Sequence, residues 1–185
     1  AIKAQFVTIY LSLGLSFALG LKTFSFVCTH LHAHQENIND RNKHLMRIIR
    51  ELVPNEHSDE VFVFGDLNYR MNLAKTEASQ FNSLINLCQY IQYDQLKQQV
   101  ILMDFLKEYQ EGELSFPPTY KLNINGEGYN PKRVPGWTDR IFYNSKGKET
   151  KQLEYTSDQT VKGSDHSPVL STFTTNFTRN YEVVR

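Results

Sequence analysis

A short, continuous apolar run at residues 61–64 (VFVF) constrains the fold most, because Gly65 and then polar residues follow it at once. Such a run, bounded by a glycine, predicts a strand that is buried on both faces, and we expect Gly65 to end it. The strand would carry Asp66 and Asn68 at its end, and in extended backbone their side chains would point to the same side. An ordinary Asx turn would give the same pair, so other motifs must decide.

Two further strand candidates are also preceded by acidic residues. Asp139 comes just before residues 141–143, and Asp165 and His166 come just before residues 169–173. Three strand ends that each offer a carboxylate, one of them beside an imidazole, predict metal-assisted hydrolysis of a phosphate ester. Mg²⁺ prefers oxygen ligands and keeps several waters, so carboxylates from separate strands would suit it.

Other patterns predict helices between the strands. Apolar residues recur at helical spacing in residues 37–52, which predicts an amphipathic helix with its basic residues, Arg41 among them, mainly in solvent. The remaining patterns predict a strand at residues 23–28, helices within 77–99 and 101–109, and an extended loop at 116–120. Strands that alternate with helices indicate a layered domain of both element types.

The apolar segment at residues 6–21 is the one candidate for a membrane span. It is shorter than the ~20 apolar residues that a spanning helix needs, and two serines and two glycines interrupt it. We therefore prefer two strands joined by a Gly/Ser turn over a membrane helix.

Composition limits the function classes only weakly. A chain of 185 residues with 40% hydrophobic content can bury one core. Twenty basic residues balance twenty acidic ones, so no overall field attracts nucleic acid, which argues against a nuclease. Cys28 and Cys88 lie far apart in sequence, which is typical of reduced thiols in a cytosolic protein.

Five motifs along the chain resemble those of inositol polyphosphate 5-phosphatases. In order, they are THLHAH at 29–34, FGDLNYR at 64–70, FPPTYK at 116–121, VPGWTDRI at 134–141 and SDHSP at 164–168. The resemblance implies an α+β fold, a four-layer α/β/β/α sandwich like that of deoxyribonuclease I. Residues 1–185 would be the C-terminal portion of one such phosphatase domain, with residues 175–185 as a tail.

The resemblance also implies roles for individual residues. Asp66 would activate the attacking water, Asn68 would hold the scissile phosphate or that water, and His166 would stabilise charge on the phosphoryl oxygens. Asp139 would orient the His166 imidazole, and His30 would contact the scissile phosphate. Asp165 would lie in or beside a Mg²⁺ shell. A substrate-binding set would hold a neighbouring phosphate: Arg70, Tyr120, Lys121, Lys132 and Arg140.

The implied substrates are phosphoinositides or inositol polyphosphates such as phosphatidylinositol 4,5-bisphosphate. The implied setting is a cytoplasmic protein that acts at membrane surfaces, and we expect no nucleic acid partner. For Lys132 and Arg133, a solvated basic turn remains the alternative to phosphate binding.

Three alternatives stay open at this point. The family's first strands carry an Asn and a Glu that bind magnesium, whereas residues 1–28 contain no Asp, Glu or Asn, so the chain could be a non-catalytic remnant that binds phosphoinositides or a partner protein. A nucleic-acid endonuclease of the same fold would also use Asp66, Asn68, Asp165 and His166. The run His30-x-His32-x-His34 could hold zinc, but Gln35-Glu36 follows where such hydrolases place an Asp-His pair.

An incomplete sheet would also leave an open edge and an exposed apolar face, so we expect poor solubility for the chain alone.

Overall fold

The main sheet has five strands, whose order in space follows their order in the chain. The computed structural model describes residues 4–9, 11–53, 58–74, 90–124 and 127–176. The strands are β1 (Ala4–Ile9), β2 (Ser12–Leu19), β3 (Lys22–Thr29), β4 (Glu60–Asp66) and β5 (Asp139–Ser145). β3 and β4 are parallel, and every other neighbouring pair is antiparallel. The parallel step requires a crossover connection, which helix α1 (Ile38–Leu52) provides.

Helix α1 covers one face of this sheet. Its buried apolar side chains, Leu45, Ile48 and Leu52, pack with Val27 of β3 and Val63 of β4 in one cluster. The helix ends at Leu52 because Pro54 follows two residues later, and a residue before proline is disfavoured in helical backbone. Val53 accordingly has extended geometry, with φ −90° and ψ 113°.

A second, two-stranded sheet lies on the opposite face. It consists of β6 (Lys151–Ser157) and β7 (Val169–Thr174), which are antiparallel. The ring of Phe173 in β7 packs edge-on against Phe62 and Tyr143 of the main sheet, with both centroid separations at 5.0 Å. The order helix, sheet, sheet confirms the predicted α+β sandwich. In the part of the chain that the structure describes, no helical layer covers the far side of β6 and β7.

Most predicted strands are confirmed, and three local predictions are wrong. β3, β4, β5 and β7 contain the predicted segments. Gly65 does not end β4, because pairing with β5 continues through Asp66. Gly14 lies inside β2 rather than in a turn. Arg41 does not face solvent, since it is fully buried.

The helical predictions after β4 are confirmed only in part. Helix α2 is short, Gln95–Val100, and a 3₁₀ turn at Asp104–Leu106 replaces the helix expected at 101–109. Residues 77–89 of the predicted 77–99 helices lie outside the described residues, as do residues 177–185 of the predicted tail. Strand β6 escaped prediction because Leu153 and Tyr155 are its only large apolar side chains.

The segment at residues 6–21 forms most of the β1–β2 hairpin, as preferred over a membrane helix. Across the described residues, no helix has the length and apolar character required to cross a membrane.

Candidate active site

Two carboxylates meet where β4 ends and β5 begins. Asp66, the last residue of β4, is the register partner of Asp139, the first residue of β5. Gly65 makes this possible because its φ is +129°, and a Cβ there would collide with the backbone carbonyl oxygen of Thr29. The end of β3, which lies beside β4 in the same sheet, therefore restricts the residue just before Asp66 to glycine.

The carboxylate of Asp139 holds the ring of His166. The Nδ1 atom of His166 lies 2.9 Å from Asp139 Oδ2 and 3.2 Å from Oδ1. Thr119 and Thr138 donate their hydroxyl protons to the same Oδ2, over 2.6 and 2.9 Å. Partial burial lowers the pKa of His166, but the hydrogen bond and charge of Asp139, with the charges of Asp66 and Asp165, raise it overall above 6.5. The site thus favours a protonated imidazole.

Asp66 is in a different electrostatic setting. Burial, followed by the negative charge of Asp139, raises its pKa, while His166, His30 and a hydrogen bond from the Asn68 backbone oppose the rise. His30 lies beside it, with Nε2 3.4 Å from Asp66 Oδ2. A carboxylate with a raised pKa next to a second carboxylate is a feature of acid–base and metal sites.

Ligand atoms from Asp66, Asp139 and His166 all lie within 4.8 Å of one another. A divalent cation would relieve the repulsion between the two carboxylates, so the carboxylates of this group, rather than the protonated imidazole, fit such an ion. A cavity of about 430 Å³ opens beside the three residues, bounded in part by Ser164 and Val161.

Asn68 is not extended, contrary to expectation. Its φ is +54°, and its side chain is buried, with Nδ2 donating to the Leu31 carbonyl over 3.0 Å and Oδ1 accepting from Arg70. Its backbone N–H donates to Asp66 Oδ1 over 2.9 Å, which is the Asx turn considered above. The amide of Asn68 thus positions the guanidinium of Arg70.

Three of the predicted substrate-binding residues form one group beside His166. The guanidinium carbon of Arg70 lies 4.5 Å from the centre of the Tyr120 ring, and Lys121 Nζ lies 5.4 Å from it. The Tyr120 and His166 rings are 4.6 Å apart. Lys132 is exposed in the turn that leads to Gly136, which exchanges two backbone hydrogen bonds with Tyr120.

Two of the predicted site residues have other partners. Arg140 does not bind substrate here, because its guanidinium is fully buried and paired with Asp94 and Glu111, with shortest contacts of 2.9 and 2.6 Å. Asp165 is ion-paired with Lys121 over 2.6 Å, and this hydrogen bond holds the Asp165 pKa below its usual range. Asp165 is therefore not one of the three clustered ligands, and its contact with a metal stays a prediction.

Two more basic residues lie near Arg70. His34 and Arg133 line, with Arg70, a cavity of about 280 Å³. The Lys132-Arg133 pair had been noted as a possible basic turn, and the fold brings its second member to the same cavity as Arg70.

Comparisons with known proteins show which family shares this fold and this group of residues. The profile of the endonuclease/exonuclease/phosphatase family 2 matches residues 11–172, and the chain belongs to this family. It is 32% identical over 183 residues to type I inositol polyphosphate 5-phosphatase 1 of Arabidopsis thaliana, covering 88% of this chain and 30% of that protein. It is 33% identical over 158 residues to synaptojanin of Caenorhabditis elegans, covering 80% of this chain and 14% of that protein. The predicted resemblance to inositol polyphosphate 5-phosphatases is confirmed.

Solved structures show the same kinship. The inositol polyphosphate 5-phosphatase domain of SPsynaptojanin, in complex with inositol (1,4)-bisphosphate and calcium, matches 95% of this chain and 56% of its own, with a TM-score of 0.79 and 26% identity. Cimex nitrophorin in a ferrous nitric oxide complex matches with a TM-score of 0.72 and 27% identity, over 93% of this chain and 63% of its own. The chain spans less than half the length of the two curated relatives named above, the Arabidopsis 5-phosphatase and the Caenorhabditis synaptojanin. The nitrophorin match shows that function depends on the site rather than on the fold alone.

Proposed function

We propose that the protein removes the 5-phosphate from phosphoinositides or inositol polyphosphates, such as phosphatidylinositol 4,5-bisphosphate. The observation that carries this proposal is the convergence of Asp66, Asp139 and His166 within 4.8 Å at the ends of adjacent elements. The similarity to named 5-phosphatases supports the choice of substrate class.

In the proposed mechanism, water attacks the scissile phosphorus, the P–O bond to the inositol ring breaks, and the leaving inositol oxygen takes a proton from solvent. Asp66 takes the proton from this water, a task that its raised pKa suits because it makes the carboxylate a stronger base. His166, whose protonated form Asp139 stabilises, donates a hydrogen bond to a phosphoryl oxygen as charge builds there. His30, on the same rim, contacts the scissile phosphate.

Mg²⁺ is the proposed cofactor. Asp139 and the predicted ligand Asp165 would supply oxygen donors of the kind that this ion prefers, and Asp66 would remain the base. When bound, the ion neutralises phosphate charge and polarises the scissile group. The calcium ion in the SPsynaptojanin complex supports a divalent metal in this kind of domain.

Substrate choice would depend on a second anion site. We propose that Arg70, Tyr120, Lys121 and Lys132 bind the phosphate next to the one removed, because charge-assisted hydrogen bonds from Arg and Lys discriminate well. A lipid substrate would place the protein in the cytoplasm, at a membrane surface.

The test is phosphate release by the purified protein from phosphatidylinositol 4,5-bisphosphate with and without Mg²⁺. We expect release that needs Mg²⁺ and that Asp66→Asn lowers by about a thousandfold, whereas Asp104→Asn leaves it unchanged. Asp104 is a matched control because its side chain is 90% exposed.

Three outcomes would count against the proposal. No Mg²⁺-dependent release from any inositol phosphate would instead favour the non-catalytic remnant. Plasmid nicking without phosphate release would favour an endonuclease. Full activity of the Asp66→Asn variant would remove Asp66 from the mechanism.

A further inference from the structure

Two histidines outside the candidate active site lie against each other. His32 belongs to the loop after β3, and His44 belongs to α1. Their ring centroids are 4.5 Å apart, and the ring planes are tilted by 53°. Neither histidine has a part in the proposed reaction.

A buried arginine fixes the distance between the two backbones that carry these rings. Arg41 lies one helical turn before His44, and its Nη1 donates to the His32 carbonyl over 2.9 Å and to the His34 carbonyl over 2.5 Å. Its Nη2 donates to Gln95 Oε1 over 2.7 Å. Because this guanidinium is fully buried, the loop and the helix are held together before any ligand arrives.

The pair also borders open space. His32 and His44 line a cavity of about 310 Å³ together with Ser12, Leu31 and Ile48. His30 lines it as well. The cavity has room for a cation with several of its waters.

We propose that His32 and His44 form a binding site for a borderline transition-metal ion, of the class Zn²⁺, Ni²⁺ or Cu²⁺. Imidazole nitrogens suit these ions, with bonds of about 2.0–2.1 Å to zinc. Because the ring centres are 4.5 Å apart, one nitrogen of each ring can reach a shared ion at such bond lengths.

This site differs chemically from the candidate active site. Asp66 and Asp139 offer oxygen donors there, whereas two nitrogen donors meet here. Among the described residues, the active-site trio alone brings three such ligand atoms together, so the histidine pair supplies two ligands and water supplies the others.

The experiment is a calorimetric titration of the protein with Ni²⁺, with excess Mg²⁺ present to occupy the carboxylates. We expect one equivalent of Ni²⁺ to bind. H32A and H44A should each weaken binding by about tenfold or more, because removing a metal ligand should cost at least as much affinity as removing a residue that hydrogen-bonds to a metal ligand. His34→Asn is the matched control: His34 has φ +74°, and asparagine tolerates this left-handed geometry. Broadening of the His32 and His44 ring resonances by Ni²⁺ gives a second readout.

Unchanged Ni²⁺ affinity in both alanine variants would overturn the proposal, as would an equal loss in His34→Asn. If only the Asp66→Asn variant lost Ni²⁺ binding, the ion would belong to the candidate active site, and the proposal would also be overturned. His44→Gln, checked for folding by its melting curve, replaces His44→Ala should that variant not fold. The titration requires no turnover, so its result is independent of the proposed phosphatase activity.

Discussion

At the scale of single residues, the carboxylate of Asp139 is the point where separate parts of the chain meet. Its Oδ2 accepts hydrogen bonds from Thr119, Thr138 and His166. These bonds fix the imidazole with Nδ1 toward the carboxylate, which leaves Nε2 to face a substrate. The pairing of Asp139 with His166 followed from the family motifs. The hydroxyl of Thr119 could not be predicted, because only the tertiary fold brings it to this carboxylate.

Replacing Asp139 should therefore change how His166 titrates. In Asp139→Asn, we expect the pKa of His166 to fall below its wild-type value, since burial still lowers it while the main opposing charge is gone. NMR titration of the His166 ring protons, with a chelator present to remove metal, measures this change. An unchanged midpoint would show that Asp139 does not set the protonation state.

The same variant should alter the pH dependence of stability. A raised pKa in the folded state means that protonated His166 stabilises the fold. This contribution is complete below the ordinary value of 6.5 and is lost as the pH rises through the raised pKa. The difference in unfolding free energy between wild type and Asp139→Asn should then shrink as the pH rises above that range, as urea denaturation can measure.

Arg140 shows where neighbours in sequence separate in space. It follows Asp139 directly, and both belong to the same family motif. Alternation along β5 sends the two side chains to opposite faces of the sheet, so Arg140 meets Asp94 and Glu111 instead of the substrate. Because neither acid belongs to a motif, sequence reasoning had no signal for this buried pair.

At the scale of elements, the close approach of the neighbouring strands β3 and β4 at their ends depends on Gly65. We expect Gly65→Ala to lower the free energy of unfolding by at least about 2 kcal/mol, because the new Cβ meets the Thr29 carbonyl at an unfavourable φ. Gly147→Ala is the matched control, since its Cβ would meet only the side chain of Glu149, at 3.4 Å. Thermal melting of both variants tests this difference, and equal stability would contradict it.

Elements with strong apolar patterns were predicted, and those with polar composition were not. Helix α1 and strand β4 could be predicted from local sequence, because burial of one helix face or of a whole strand determines the spacing of their apolar residues. The buried position of Arg41 could not be predicted, since its acceptors are the carbonyls of His32 and His34 in a loop that only the fold brings near. Strand β6 is likewise defined by its pairing with β7.

At the scale of the whole molecule, the second sheet covers only part of the main one. Phe173 packs on the β4–β5 side, where Phe62 and Tyr143 are buried. On the β2–β3 side of this face, Leu13 remains 44% exposed and Cys28 is also exposed. The exposed Leu13 and Cys28 lie on an apolar face of the kind that the sequence analysis expected. The effect of this face on solubility stays a prediction.

We expect the chain, produced alone, to self-associate through this face. Leu13→Lys should lower association because it places a charge among apolar side chains, which analytical ultracentrifugation over a range of concentrations would detect. Ile101→Lys is the control: Ile101 is more exposed, at 76%, and lies just beyond helix α2, outside the main sheet. A monomer at every concentration, with a single cooperative melting transition, would contradict this expectation.

Tyr120 joins three segments that are distant in the chain. Its backbone forms bridges with Gly136 and with His166, and its ring lies beneath the guanidinium of Arg70. An engineer who wished to redirect ligand preference would therefore gain little by grafting one loop from a homologue. The three segments would have to be transplanted together, as a unit.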